Sequence, residues 1–119
     1  MQHLMNKPIA INIEKMTLDN EYYRYVYDTS HDMQLVFMSL LPKDEIGMEI
    51  HKETQFIKIE KGSGLAILND RSYPLKAGSA VFIPGGTHHN IINTGKGKLK
   101  LYTIYAPPHH PYDRKNIIL

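Results

Sequence analysis

From residue 33 onward the chain is built of short runs of β-branched, aromatic and aliphatic residues, each cut off by turn-forming residues. The runs predict strands over 33–41, 47–51, 55–61, 64–68, 71–75, 79–83, 88–93 and 98–106. Between them stand Pro42-Lys43-Asp44, Lys52-Glu53-Thr54, Gly62, Asn69-Asp70, Ala77-Gly78, Pro84-Gly85-Gly86 and Thr94-Gly95-Lys96-Gly97. Asn69-Asp70 suits a two-residue hairpin loop, whose central residues take positive φ. Phe56, Ile57, Ile59, Val81, Phe82 and Ile83 read as core or sheet-packing positions. Eight short strands joined by tight turns predict an all-β, single-domain antiparallel barrel or jelly roll.

The first third is less regular. Residues 9–13 are rich in Ile and suit an edge strand or an arm, while Asp19-Asn20-Glu21-Tyr22 offers a capped start for a short helix. Tyr22, Tyr23, Tyr25 and Tyr27 fit an extended segment with one aromatic face. The expected organisation is an N-terminal arm with edge strands over 1–30, a barrel over 31–108 and a tail over 109–119. His109-His110, set beside prolines, reads as a solvated cluster on that tail.

Composition narrows the classes. A chain of 119 residues is one domain's worth, and 42% hydrophobic with 22% charged residues is ordinary for a globular domain. A net charge of +2 with both signs scattered gives no basic stripe for nucleic acid or an anionic membrane. No run approaches the roughly eighteen apolar residues of a membrane span, and residues 1–10 lack a secretory h-region. The absence of Cys excludes disulfides and thiolate metal sites. A cytoplasmic protein is the expectation.

The candidate chemistry lies in two segments. Gly78 opens a β-branched and aromatic run that Pro84 ends by withholding a ladder donor, and Gly85-Gly86 bend the chain toward His89. His89, Ile91 and Asn93 then share one strand face, with His88 on the other. Upstream, Glu49 and His51 share a face, as do Met48 and Ile50 on the opposite one, and Gln55 resumes after a short turn. Gly78, five residues, Pro84, one residue, Gly86, two residues, His89, three residues and Asn93 resemble the second signature motif of the cupins, small β-barrels that bind a metal inside. Glu49, one residue, His51, three residues, Gln55, six residues and Gly62 resemble the first motif in spacing. Two residue types differ from that pattern: Glu49 stands where the first His is usual, and Gln55 where the Glu is usual.

That resemblance implies a metal site of Glu49, His51, Gln55 and His89, with Gln55 as a weak carbonyl-oxygen ligand. The ion would be divalent Zn, Fe, Mn, Ni or Co. Asn93 is expected to brace the barrel, Glu45 to hydrogen-bond at its rim, and Tyr25, Tyr102 and Tyr105 are candidates for the pocket mouth. The whole pattern is similar to bacterial cupins often labelled mannose-6-phosphate isomerase-like. It implies a metal-dependent protein acting on a small oxygenated metabolite, sugar-like or carboxylate, with the metal as Lewis acid. The resemblance leaves open a non-catalytic binding or sensing module, a metal-dependent dioxygenase or isomerase, and a metal-free structural cupin. No free acid or base beside the ligands is evident in the motifs, which favours the binding module. A homodimer is expected from outward apolar residues such as Ile50 and Phe56 and from the arm at 9–13.

Overall fold

The computed structural model describes residues 7–111 and the backbone of Ile117–Ile118. In chain order the elements are α1 (Ile13–Asp19), β1 (Arg24–Thr29), β2 (Gln34–Leu40), β3 (Thr54–Lys61), β4 (Ser63–Leu68), β5 (Arg71–Lys76), β6 (Ala80–Ile83), β7 (His89–Asn93), β8 (Leu99–Ala106) and β9 (Ile117–Ile118). A six-stranded sheet, ordered β6-β3-β8-β2-β1-β9, faces a three-stranded one, ordered β5-β4-β7. Each pairing is antiparallel. The all-β antiparallel architecture expected from the run-and-turn pattern is the one observed.

Alternation explains how the two sheets close on each other. Val36, Met38 and Leu40 of β2, Ile57 and Ile59 of β3, Leu99 and Leu101 of β8, Ala66 of β4 and Ile91 of β7 all turn inward and are buried. Each large apolar side chain removed from water contributes roughly 1.5–3 kcal/mol, so this layer dominates the folding energy. Asn93 braces the floor: its Nδ2 donates to the carbonyls of Leu40 and Gly97, each at 2.9 Å, and its Oδ1 accepts from Gly95 N at 2.9 Å. At the hairpin between β4 and β5, Asn69 takes φ +55°, as its residue type allows.

Two expectations about elements need correction. The run 47–51 is not a strand; it pairs with the sheet at one isolated bridge, Glu49 to His89, and a second bridge, Glu45 to Ile92, precedes it. Gly47 at φ +105° breaks the extended path there, and the Asn90 side chain takes its N–H at 2.8 Å. The helix lies earlier than 19–22. Asn12 is its N-cap, accepting from Lys15 N at 3.1 Å, and Asn20 ends it by exchanging hydrogen bonds with the Tyr22 backbone. No helix among the described residues is long and apolar enough to cross a membrane.

Candidate metal centre

Two loops interlock to bring the motif residues together. Gly86, at φ +86°, donates its N–H to the His51 carbonyl at 2.8 Å. Gly85 presses against the Lys52 backbone so closely that a Cβ there would collide with the Lys52 carbonyl oxygen. The loop before β7 is therefore locked onto the loop before β3. Beside that lock, His89 and Glu49 exchange backbone hydrogen bonds of 2.9 and 2.8 Å, which sets their side chains next to each other. Gln55 enters from the start of β3, opposite Ile83 on one side and Tyr105 on the other.

The side chains form a nest of acceptors. His89 is 2% exposed, and its Nδ1 donates to the Thr87 carbonyl at 2.8 Å. A carbonyl only accepts, so the proton is on Nδ1 and the Nε2 lone pair faces the interior. That Nε2 is buried with no hydrogen-bond partner among the described residues, and Glu49 Oε1 is 3.7 Å from it. His51 repeats the arrangement: Nδ1 donates to the Glu53 carbonyl at 3.0 Å, and Nε2 meets Gln55 Oε1 at 3.2 Å. Gln55 keeps that oxygen inward because its Nε2 donates to Thr103 Oγ1 at 2.9 Å. Two imidazole lone pairs, a carboxylate and an amide oxygen thus converge, with ligand atoms of Glu49, His51 and His89 all within 4.8 Å of one another.

The donor set fits a first-row divalent ion. Imidazole suits Zn, Cu, Fe and Ni, while carboxylate and amide oxygens extend the range toward Mn. Each imidazole is oriented by a backbone carbonyl on its other nitrogen, the usual means of fixing a ligating ring. Pairing with His89 and the nearby imidazoles of His109 and His51 hold the Glu49 carboxyl below its ordinary pKa, against the opposing effect of burial. Burial disfavours the His89 imidazolium, but Glu49 and the Thr87 carbonyl outweigh it and raise that pKa.

The structure places four further side chains at this centre. His109 and His110 are not a solvated cluster, as expected from their position beside prolines; both are half-buried against the barrel mouth. Gln34, fully buried, pins them there. Its Oε1 accepts from His109 N at 3.2 Å and His110 N at 2.9 Å, and its Nε2 donates to the His110 carbonyl at 2.9 Å. His109 stacks on Tyr105 at 5.0 Å, approaches the His51 ring at 4.6 Å, and pairs through Nδ1 with Glu53 Oε1 at 3.3 Å. His51, Glu53 and His109 therefore make a second group of potential ligands that shares His51 with the first. Burial, followed by the charges of Arg24 and His109, pushes the His110 pKa down to about 4. Burial and the Glu49 charge raise that of the Tyr105 phenol, which stays neutral. The readable signal for the strap was Gln34, a polar residue at an inward position of an otherwise apolar strand face.

The remaining expected residues divide cleanly. Tyr105 faces the centre, whereas Tyr25 packs edge-on against Tyr22 and Tyr27 outside it. Tyr102, paired with Phe37 across the ladder, alternates away from the inward Leu101 and Thr103. Met48, Ile50 and His88 are exposed. Glu45 receives Asn90 Nδ2 at 2.8 Å and, through its carbonyl, the Tyr23 hydroxyl at 3.1 Å, which ties the rim together.

Comparison with known proteins agrees with this geometry at the level of family and fold. A family model described as the cupin domain matches residues 36–105. An uncharacterized protein of Acanthamoeba polyphaga mimivirus is 47% identical over 111 residues, covering 89% of this chain and 69% of that protein. The uncharacterized protein YrkC of Bacillus subtilis is 41% identical over 113 residues, covering 89% of this chain and 61% of its own. Among solved structures, BH2720 from Bacillus halodurans superposes with a TM-score of 0.89 at 37% identity, covering 97% of this chain and 92% of that one.

Proposed function

This chain belongs to the cupin domain family, and from that premise we propose that it binds a divalent metal ion through Glu49, His51 and His89 and uses it to hold a small oxygenated metabolite. One observation carries the reading: the buried Nε2 of His89 has its lone pair aimed at a carboxylate, with no donor among the described residues to satisfy it. Gln55 adds its amide oxygen as a weaker fourth ligand. When bound, the ion supplies Lewis acidity to a carbonyl or hydroxyl oxygen of the metabolite. The protein's own part is to orient the ligands through the Thr87 and Glu53 carbonyls, to keep Tyr105 neutral at the centre, and to roof it with the 107–111 strap. The Glu53–His109 pair beside His51 supplies the acid–base group that the motifs alone did not offer, and so favours turnover over passive binding. The chain also pairs with a second copy through the outer face of its larger sheet.

The test is elemental analysis of protein purified without an affinity tag, beside the same protein carrying His89→Ala. We expect about one equivalent of a first-row metal in the wild type and none in the variant, since His89 supplies one of the two imidazoles of the centre. Wild-type metal content in His89→Ala sinks the assignment of His89. A wild type that stays metal-free after supplementation with each ion sinks the metal reading altogether.

A further inference from the structure

The structure holds a positive charge inside the barrel that the metal centre does not explain. Arg24 lies opposite Met38 in the ladder and two residues before Val26, and both of those are core residues. Side chains directly paired across a ladder, and those two apart along a strand, share a face, so Arg24 points into the barrel. Its guanidinium Nε is buried and has no hydrogen-bond partner, and among the described residues no carboxylate pairs with it. Among the described residues, its guanidinium lies over the Tyr23 ring, 5.7 Å from Cζ to the ring centre. The charges of Arg24 and of Glu49 both act on Tyr105 and His110.

Arg24 is partly buried, and its Nε–H, cut off from water with no acceptor, is a donor that a bound oxyanion would satisfy. The charge count sharpens the point. Glu49 supplies one negative charge, against two from a divalent ion and one from Arg24; adding Glu53 at the rim still leaves the interior positive. The guanidinium presents N–H donors in a flat fork that matches carboxylate and phosphate oxygens, a geometry that neither water nor a sugar hydroxyl exploits as well.

We propose that Arg24 is an oxyanion subsite: the metabolite carries a carboxylate or phosphate that the guanidinium grips, and a hydroxyl or carbonyl oxygen of the same molecule reaches the metal position. The second half of this statement rests on the metal reading above; the first half does not. A neutral sugar fills the metal position but leaves Arg24 unpaired, so anionic metabolites are preferred.

The test separates the two halves. In metal-free protein labelled with 15N, the Arg24 Nε–H resonance, assigned by its loss in Arg24→Lys, is followed during titration with acetate and with inorganic phosphate. A saturable shift with either ion is expected, and the stronger of the two names the oxyanion class. In cobalt-loaded protein, the visible spectrum is then followed during titration with glycolate and with its neutral analogue glycolamide. Glycolate should bind about tenfold to a hundredfold more tightly than glycolamide, and Arg24→Lys should erase most of that difference while cobalt stoichiometry stays unchanged. An Nε–H resonance that neither ion moves overturns the subsite, whatever the metal result. Equal glycolate affinity in wild type and Arg24→Lys overturns it as well. A saturable Nε–H shift in a protein that takes up no cobalt keeps the subsite and overturns the metal reading instead.

Discussion

Gln55 is the residue at which this centre departs most from a strong metal site. Its amide is locked by Thr103, so the oxygen that meets His51 Nε2 at 3.2 Å is an acceptor facing an acceptor. That contact is favourable only with a cation or a proton between the two atoms. Replacing Gln55 by His adds a third imidazole and should tighten metal binding on the order of tenfold, about 1.4 kcal/mol, in competition with a chromogenic chelator. Unchanged or weaker binding would remove position 55 from the ligand shell. Glu49, His51, Gln55 and His89 were readable as a group because motif spacing and strand alternation are both local properties. Arg24, Glu53 and His109 were not readable, since their roles depend on which distant elements the fold sets side by side. His109 reaches the centre only because Gln34, 75 residues earlier in the chain, takes its backbone N–H.

At the level of elements, most strands fall within a residue or two of their expected bounds, because each is a run of apolar residues closed by a turn. The exceptions are segments held by side chains rather than by ladders: the 47–51 stretch, the helix and the strap. The strap hangs on Gln34, whose amide is shared with three backbone groups of His109 and His110 and with Thr29 Oγ1 at 3.0 Å. Gln34→Leu keeps the volume and orphans those groups, so it should cost about 2–4 kcal/mol and speed amide hydrogen exchange at 109 and 110. Unchanged exchange there would mean that something other than Gln34 holds the strap. The helix is clamped from below: Lys100 Nζ donates to the Asn20 carbonyl at 2.5 Å and to Glu21 Oε2 at 2.9 Å, and Lys98 pairs with the other Glu21 oxygen. The hydrogen bonds from Lys98 and Lys100 bring the Glu21 pKa from its ordinary 4.5 to about 2. A pKa depressed on folding adds stability above the unfolded value and loses it as acid approaches the folded one. The stability difference between wild type and Glu21→Gln should therefore be constant above about pH 5 and vanish toward pH 2 in denaturant titrations. A difference that persists at pH 2 would assign the effect to packing instead.

For the molecule as a whole, the outer face of the six-stranded sheet carries the apolar surface on which a second copy would dock. Phe82, Phe56, Ile104 and Leu35 are cross-strand partners in succession, a continuous apolar row over four strands. The N-terminal arm reaches one half of that row: Ile9, Ile11 and Ile13 meet Leu35 and Ile104 around a cavity of about 390 Å³. On the other half, no described residue of the arm covers Phe82, and Phe56 is partly buried. Phe82 is 67% exposed on β6, which is the edge strand of the sheet among the described residues. Edges of this kind invite pairing unless charge or a bulge blocks them, and the residues flanking Phe82 on β6 are Val81 and Ile83. The arm cannot relieve both halves, since it is committed to the β2 side. A second copy docking on this edge would cover Phe82 and Phe56 without disturbing the core, because neither contributes to the inward layer. Phe82→Asp should therefore leave the thermal transition of the monomer nearly unchanged while halving the mass seen by light scattering toward the 13.7 kDa of one chain. A wild type that already scatters as a single chain, or a Phe82→Asp protein that still scatters as two, would exclude this face as the interface.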